Sequence, residues 1–300
     1  MQANMSAMQA WRDQIIASAS SPPSPINAGD TAWMLTSTAI VLLMTLPGLA
    51  LFYGGMSQAK NVLSTVIQTY TIACLITILW FTVSYSLCFN TGGPVFGGSD
   101  RFWLIGSHDS MNQTSPNRLG PYSVHPLAPT IPESIYMTFQ LTFAIITAAL
   151  VCGSFAERMK FNSMLVFIFF WHFLVYCPVC HSEWAMDGFL AVAGDLDFAG
   201  GNVVHISSGF SGLAASLMVG PRRGFGILSL KPHNVVYSVI GGGLLWVGWF
   251  GFNGGSAVSS GAAASFAVMV TQICAGTCGF VWMLIEYAHR GKPTMIGVVR

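Results

Sequence analysis

The sequence predicts an all-α integral membrane protein: a polytopic helical bundle with an extracytoplasmic N-terminus, built on an inverted repeat whose second copy is incomplete. Three observations carry this. The chain is 53% hydrophobic and 8% charged, where soluble domains hold roughly 25% charged residues. Asp, Glu, Lys and Arg are missing from residues 31–59, 61–99, 134–156, 161–182, 198–221 and 232–285. Phe52-Tyr53-Gly54-Gly55 returns as Phe252-Asn253-Gly254-Gly255, 200 positions later.

Residues 1–30 are polar, contain Ser20-Ser21-Pro22-Pro23-Ser24-Pro25 and have no apolar run suited to a signal peptide. They read as a flexible arm. A helix needs about 20 apolar residues to span the hydrocarbon core, so the charge-free stretches give spans near 32–55, 62–89, 134–156, 161–183 and 199–220. The stretch 232–285 holds two more, 233–253 and 262–288, divided at the turn-like Asn253-Gly254-Gly255-Ser256. Between spans two and three, residues 90–132 form a long loop rich in Gly, Pro, Ser and Asn. Span four carries Cys177-Pro178-Val179-Cys180, an apolar helix broken by proline. No second Cys/His pair accompanies it at metal-site spacing, which disfavours a metal or redox centre.

Orientation follows from the basic residues. With the N-terminus outside, the inner connections hold Lys60, Arg158, Lys160, Arg222, Arg223, Lys231, Arg290 and Lys292, and the outer segments hold Arg12, Arg101 and Arg118. The expected setting is the cell membrane, crossed several times. Two N-glycosylation tripeptides, at Asn4 and Asn112, fall on the outer side and carry weight only in a eukaryotic host. All seven cysteines lie in or at the ends of spans, so no secreted-type disulfide framework is expected. A net charge of +1, with basic residues confined to loop anchors, gives no sign of nucleic-acid binding.

His205 is the most informative residue. An ionisable side chain within a span is costly and usually faces a bundle interior or a pathway. Gly201, His205, Ser208, Gly212 and Ala215 share one helical stripe, and small residues let membrane helices approach closely. This predicts a histidine presented to tightly packed partners, not lipid. The competing reading is a packed histidine that donates to a backbone carbonyl and conducts nothing. Phe139 and Phe143 lie one turn apart on span three. Trp184 ends span four, and Phe252 and Ser256 close span six. Each could be ordinary core or interfacial packing, but all five fall in the outer half of the membrane. Aromatic faces attract cations more strongly as water is removed, and a hydroxyl can accept from a cationic N–H. The path so outlined is a cation-attracting mouth, an aromatic constriction, and an apolar lumen holding an imidazole.

If spans one and six correspond, the halves have opposite orientation, as in inverted-repeat transporters. The first five-helix repeat then occupies 31–220. Residues 221–300 start the second, with two spans and the beginning of a third at Thr294–Val299. The chain is expected to be incomplete.

Long ordered blocks of the sequence resemble the ammonium transporter family (Amt/Mep/Rh): Pro47 through Gly55, Phe155-Ala156-Glu157-Arg158, Asp197 through His205, Lys231-Pro232-His233-Asn234, and Gly248 through Ser256. The resemblance runs from about Asp30 to Lys292. It implies a homotrimer of eleven-helix subunits, each with its own pore. By matched position, Trp184 and Ser256 would line the outer recruitment site, with Phe139 on its wall. Phe143 and Phe252 would form a stacked gate, and His205 would be the first of two pore histidines. Asp197 matches an acidic residue supporting the site, and can also cap span five and complement its dipole. The second pore histidine would lie beyond Arg300. His172, His181, His233 and His289 read as packing or interfacial.

The implied activity is transport of ammonium, with methylammonium as an analogue: capture of the cation, loss of a proton near the gate, and passage of ammonia past His205. Whether the proton follows stays open. An ammonium sensor that binds at the mouth and signals through an inner domain, and an inactive truncated fragment, are the alternatives; any cytoplasmic signalling partner is unknown. No nucleophile–base pair, metal cluster or phosphate loop points to an enzyme, and no cofactor is expected.

Overall fold

In the computed structural model, residues 25–104 and 123–299 are described. Most of the N-terminal arm, both glycosylation tripeptides, Arg12 and Arg118 fall outside them. Seven helices are long and apolar enough to cross a membrane: α1 (Ala28–Met56), α2 (Ala59–Phe89), α3 (Glu133–Phe155), α4 (Phe161–Ala193), α5 (Gly201–Val219), α6 (Val235–Gly255) and α7 (Ala262–Arg290). A one-turn helix, α8, follows at Met295–Val298. The seven alternate in direction, which gives the bundle an Asn27 end and a Glu157 end. Nearly every residue of α3 is buried, so α3 is the axis on which the others pack.

Helix starts follow local chemistry. Asn27 Oδ1 accepts from Asp30 N at 3.0 Å, and Asn234 Oδ1 accepts from Val236 N and Tyr237 N. Each side chain satisfies amides that lack an intrahelical partner. The caps place the start of α1 at Ala28, ahead of the predicted 32, and the start of α6 at Val235. Four helices contain π-helical turns: Met44–Leu49 in α1, Trp80–Ser84 in α2, His172–Tyr176 in α4 and Gly201–Ile206 in α5. Such turns add one residue to a helix and re-aim its side chains. In α4 the turn precedes Pro178 and accommodates it. The proline therefore does not break the helix, which runs on to Trp184 and adds a short turn at Phe189–Ala193.

The α1–α6 pair makes the inverted repeat visible. Gly48 approaches Leu244, and Gly248 approaches Met44 so closely that neither glycine position leaves free room for a Cβ. The pairs 48–244 and 248–44 exchange under the 200-residue offset, as a two-fold relation requires. Trp33 Nε1 donates to Gly254 O at 3.1 Å and Ser238 Oγ donates to Phe52 O at 3.2 Å, linking the start of each helix to the end of the other. Asn253 to Gly255, read as a turn from sequence, are helical. Their glycines serve the close approach to α1, and the chain leaves the helix at Ser256.

Polar clusters fix both ends. At the Asn27 end, Asp30 Oδ1 accepts from Ser260 N and Oγ, both at 2.8 Å. Buried Glu133 takes Arg101 at 3.1 Å and Tyr85 Oη at 3.1 Å. At the Glu157 end, Glu157 Oε1 accepts from Gln58 N at 2.7 Å and Asn61 Nδ2 at 2.9 Å, and Oε2 from Arg222 Nη1 at 3.0 Å. One carboxylate thus joins three connections. Burial alone would raise the Glu157 carboxyl, but the bonds from Asn61 and Gln58 and the Arg222 guanidinium outweigh it and hold it below the ordinary value.

Candidate functional site

At the Asn27 end, the connection from α4 to α5 folds around Asp197. Its Oδ1 accepts from Gly200 N and Gly201 N, both at 2.6 Å, and its Oδ2 from Asn202 N at 2.8 Å and Val203 N at 3.0 Å. A carboxylate at a helix N-terminus meets both the unpaired amides and the positive end of the dipole. Gly200, at φ +92°, supplies the left-handed residue that this tight entry demands. The backbone carbonyl of Asp197 also accepts from Trp184 Nε1 at 2.9 Å, so the residue that caps α5 also orients an indole of α4.

From Trp184 a continuous set of rings leads into the bundle. Its indole meets Phe143 edge to face, with ring centroids 5.7 Å apart at 82°. Phe143 contacts Phe139 at 5.0 Å and Phe252 at 4.4 Å. Phe143 and Phe252 are tilted by 37° rather than stacked. All three phenylalanines are buried at about the 1% exposure level. Beyond them the His205 ring lies 5.9 Å from Phe252 and 6.2 Å from Trp249, nearly parallel to both. Ser256 donates its hydroxyl to Phe252 O at 2.7 Å. That leaves the lone pairs of Oγ free to accept from a cation.

The structure brings Phe139, Phe143, Trp184, Phe252 and His205 into one run of ring contacts, and Ser256 follows Phe252 at the end of α6. His205 is placed by the π-helical turn, where its N–H reaches back to Gly200 O at 3.0 Å. Its surroundings differ from the sequence reading. Ser208 is buried and Gly212 lies against Ser154 of α3, but His205 and Gly201 are exposed. Within the turn that carries His205, Val203 and Val204 are the buried residues. The His205 ring meets Trp249 and Phe252 while the residue as a whole stays exposed. His172 sits between α2 and α4, bonded to Ser84 Oγ at 2.8 Å and stacked on Tyr176, as a packing histidine would be.

Three residues of the site were not picked from sequence. Trp249 lies three positions before Phe252, on the same helical face, which is the signal that could have found it. Glu183 and Asn202 carried no signal of their own. Asn202 Nδ2 donates to Glu183 Oε2 at 3.3 Å and to Asp195 Oδ2 at 3.0 Å, which sets a second carboxylate group beside Trp184. Among the described residues, no group of His, Cys, Asp and Glu is arranged to hold a metal ion.

The fold and this site define a multi-pass α-helical membrane protein of the inverted-repeat transporter architecture. A family model described as the Ammonium Transporter Family matches residues 32–300, and the chain belongs to that family. A putative ammonium transporter of Methanothermobacter thermautotrophicus is 47% identical over 274 residues, covering 91% of this chain and 63% of the relative. An ammonium transporter of Bacillus subtilis is 44% identical over 271 residues, covering 90% and 63%. The crystal structure of Saccharomyces cerevisiae Mep2 superposes with a TM-score of 0.80 at 32% identity, covering 94% of this chain and 62% of that one. The chain thus spans less than two thirds of the length of the relatives it matches.

Proposed function

We propose that this chain forms the recruitment site, the constriction and the first part of the lumen of an ammonium transporter or channel. The observation that carries the reading is the order of the rings: Trp184, Phe143, Phe252 and His205, each in contact with the next, running from the Asn27 end into the bundle. Trp184 and Ser256 would hold the cation at the mouth, with Phe139 shaping the wall, through cation–π attraction and a charge-assisted hydrogen bond. Phe143 and Phe252 close the way to hydrated ions. A bare potassium ion entering the apolar lumen would meet the full desolvation penalty. Ammonium can avoid that penalty by leaving its proton and crossing as ammonia past His205, whose two ring nitrogens can donate or accept. The activity is transport; no bond of the substrate other than N–H is changed.

Asp197 supports the site by fixing Trp184 and the start of α5. The excess of Lys and Arg at the Glu157 end favours that end as cytoplasmic and the Asn27 end as extracytoplasmic, in the plasma membrane. The apolar side chains exposed on α5 and α7, among them Phe210, Leu217, Phe280 and Trp282, suit contact with lipid, with further helices, and with the other subunits of a homotrimer.

The test is flux. The purified protein, in its natural length, is reconstituted in liposomes and given an inward gradient of ammonium or methylammonium. A saturable internal pH change, absent with potassium, is expected. Binding that saturates without any flux would favour a sensor instead.

A further inference from the structure

Among the described residues, Glu183 is an acidic side chain of α4 that lies next to the proposed path and has no role in it so far. It precedes Trp184 in α4 and is 4% exposed. Its Oε2 receives one amide hydrogen of Asn202, and Asp195 Oδ2 receives the other. Its Oε1 is buried and has no hydrogen-bond partner among the described residues. Asn202 also donates its backbone N–H to Asp197, whose carbonyl holds the Trp184 indole. Glu183, Asp195 and Asp197 thus surround one asparagine. None of them forms an ion pair with a Lys or Arg among the described residues.

Burying a carboxylate without a counter-charge is expensive, and a buried acceptor left empty calls for an explanation in terms of an ion or ligand. The Asp197 carboxylate already receives four amides, which leaves Glu183 and Asp195 as the acceptors with spare capacity. The Asn202 amide fills one oxygen of each and fixes the separation of the two carboxylates. Because that amide presents donors between them, the pair offers a poor cage for a metal ion, which needs acceptors alone. A small cation that carries its own N–H donors fits the remaining lone pairs.

We propose that Glu183, with Asp195 across the Asn202 amide, is an ammonium-binding subsite beside Trp184, filled before the cation reaches the ring path. This rests on the transport reading above and adds a carboxylate to it. The subsite raises the local concentration of cations at the mouth and supplies the negative charge that the aromatic rings lack. The Oε1 of Glu183 accepts from the ammonium N–H, and the ion moves on to Trp184 and Ser256 without any covalent change.

The experiment is the concentration dependence of ammonium flux in proteoliposomes for wild type, Glu183→Gln, Glu183→Asp and Asp195→Asn. Glutamine keeps the shape and the bond from Asn202 but removes the charge. Losing one charge-assisted hydrogen bond should raise KM roughly tenfold while the maximal rate stays within about twofold. Glu183→Asp should recover most of the affinity, and Asp195→Asn should raise KM less. An inserted Glu183→Gln protein with wild-type KM overturns the proposal and leaves the transport reading standing. So does a loss of maximal rate at constant KM, which marks a purely structural carboxyl. Should Glu183→Gln fail to insert, unchanged KM in both other variants overturns it equally. Wild-type protein that conducts no ammonium at all sinks the transport reading itself, and the subsite with it.

Discussion

Phe143 and Phe252 approach within 4.4 Å between ring centroids, the shortest ring separation among the described residues. They come from α3 and α6, which the proposed division at residue 220 assigns to different repeats, so the proposed gate would lie where the repeats meet. Substrate sites of inverted-repeat transporters are expected at such an interface.

Opening that point should trade selectivity for leak. Phe252→Leu is close enough in volume to cost less than about 1.5 kcal/mol, whereas Phe252→Ala should cost about 3–5 kcal/mol and leave a cavity. The leucine variant is therefore the informative one. It should insert normally and pass potassium at a rate above wild type in a liposome flux assay. Unchanged potassium rejection would remove the ring pair from the selectivity argument.

Asp197 should matter more for the shape of the site than for affinity. Replacing it by Ala strips four amides of their shared acceptor, with a loss of about 3 kcal/mol or more. The melting temperature in detergent should fall, and the Trp fluorescence should shift as the Trp184 indole loses its fixed carbonyl. A melting temperature equal to wild type would mean that water replaces the carboxylate at no cost.

Gly255 carries a packing prediction. A Cβ there would sit 2.7 Å from Ser37 Cβ and 2.8 Å from Phe139 Cε2. Gly255→Ala must push α6 from α1 or turn the Phe139 ring, at a cost of about 1–3 kcal/mol. Thermal unfolding of the variant measures this directly.

The Glu157 cluster predicts acid lability. Its folded-state carboxyl is depressed below its unfolded value, so its stabilisation is complete above the unfolded value of about 4.3. It is lost as pH falls through the lower folded value. In Glu157→Gln that portion of the pH dependence should vanish, while the melting temperature near neutral pH drops because Arg222 loses its partner. A melting curve series from pH 3 to pH 7 checks both.

Much of the fold was legible because charge is so costly in hydrocarbon that its absence marks the spans. The same rule hid part of the site. It ended the charge-free stretch at residue 182 and left Glu183 as the last residue of span four, with no signal that it is buried inside the helix. The π-helical turns were invisible because they are set by packing and not by any residue type. One of them places His205. Phe139, Phe143 and Phe252 could be read from position and spacing, since each repeats on a helical face. Trp249 shares that face and was passed over. The exposure of His205 was not foreseen because small neighbours say how closely a helix can pack, not which part of it is covered.

The central claim is that His205 lines a conducting path for ammonia. The direct measurement compares ammonium flux and potassium rejection of wild type and His205→Ala, in liposomes, with insertion of both confirmed. Altered flux, altered potassium rejection or both in a folded His205→Ala protein is the predicted result. Equal flux and equal rejection would contradict the account and return His205 to the ranks of packed membrane histidines.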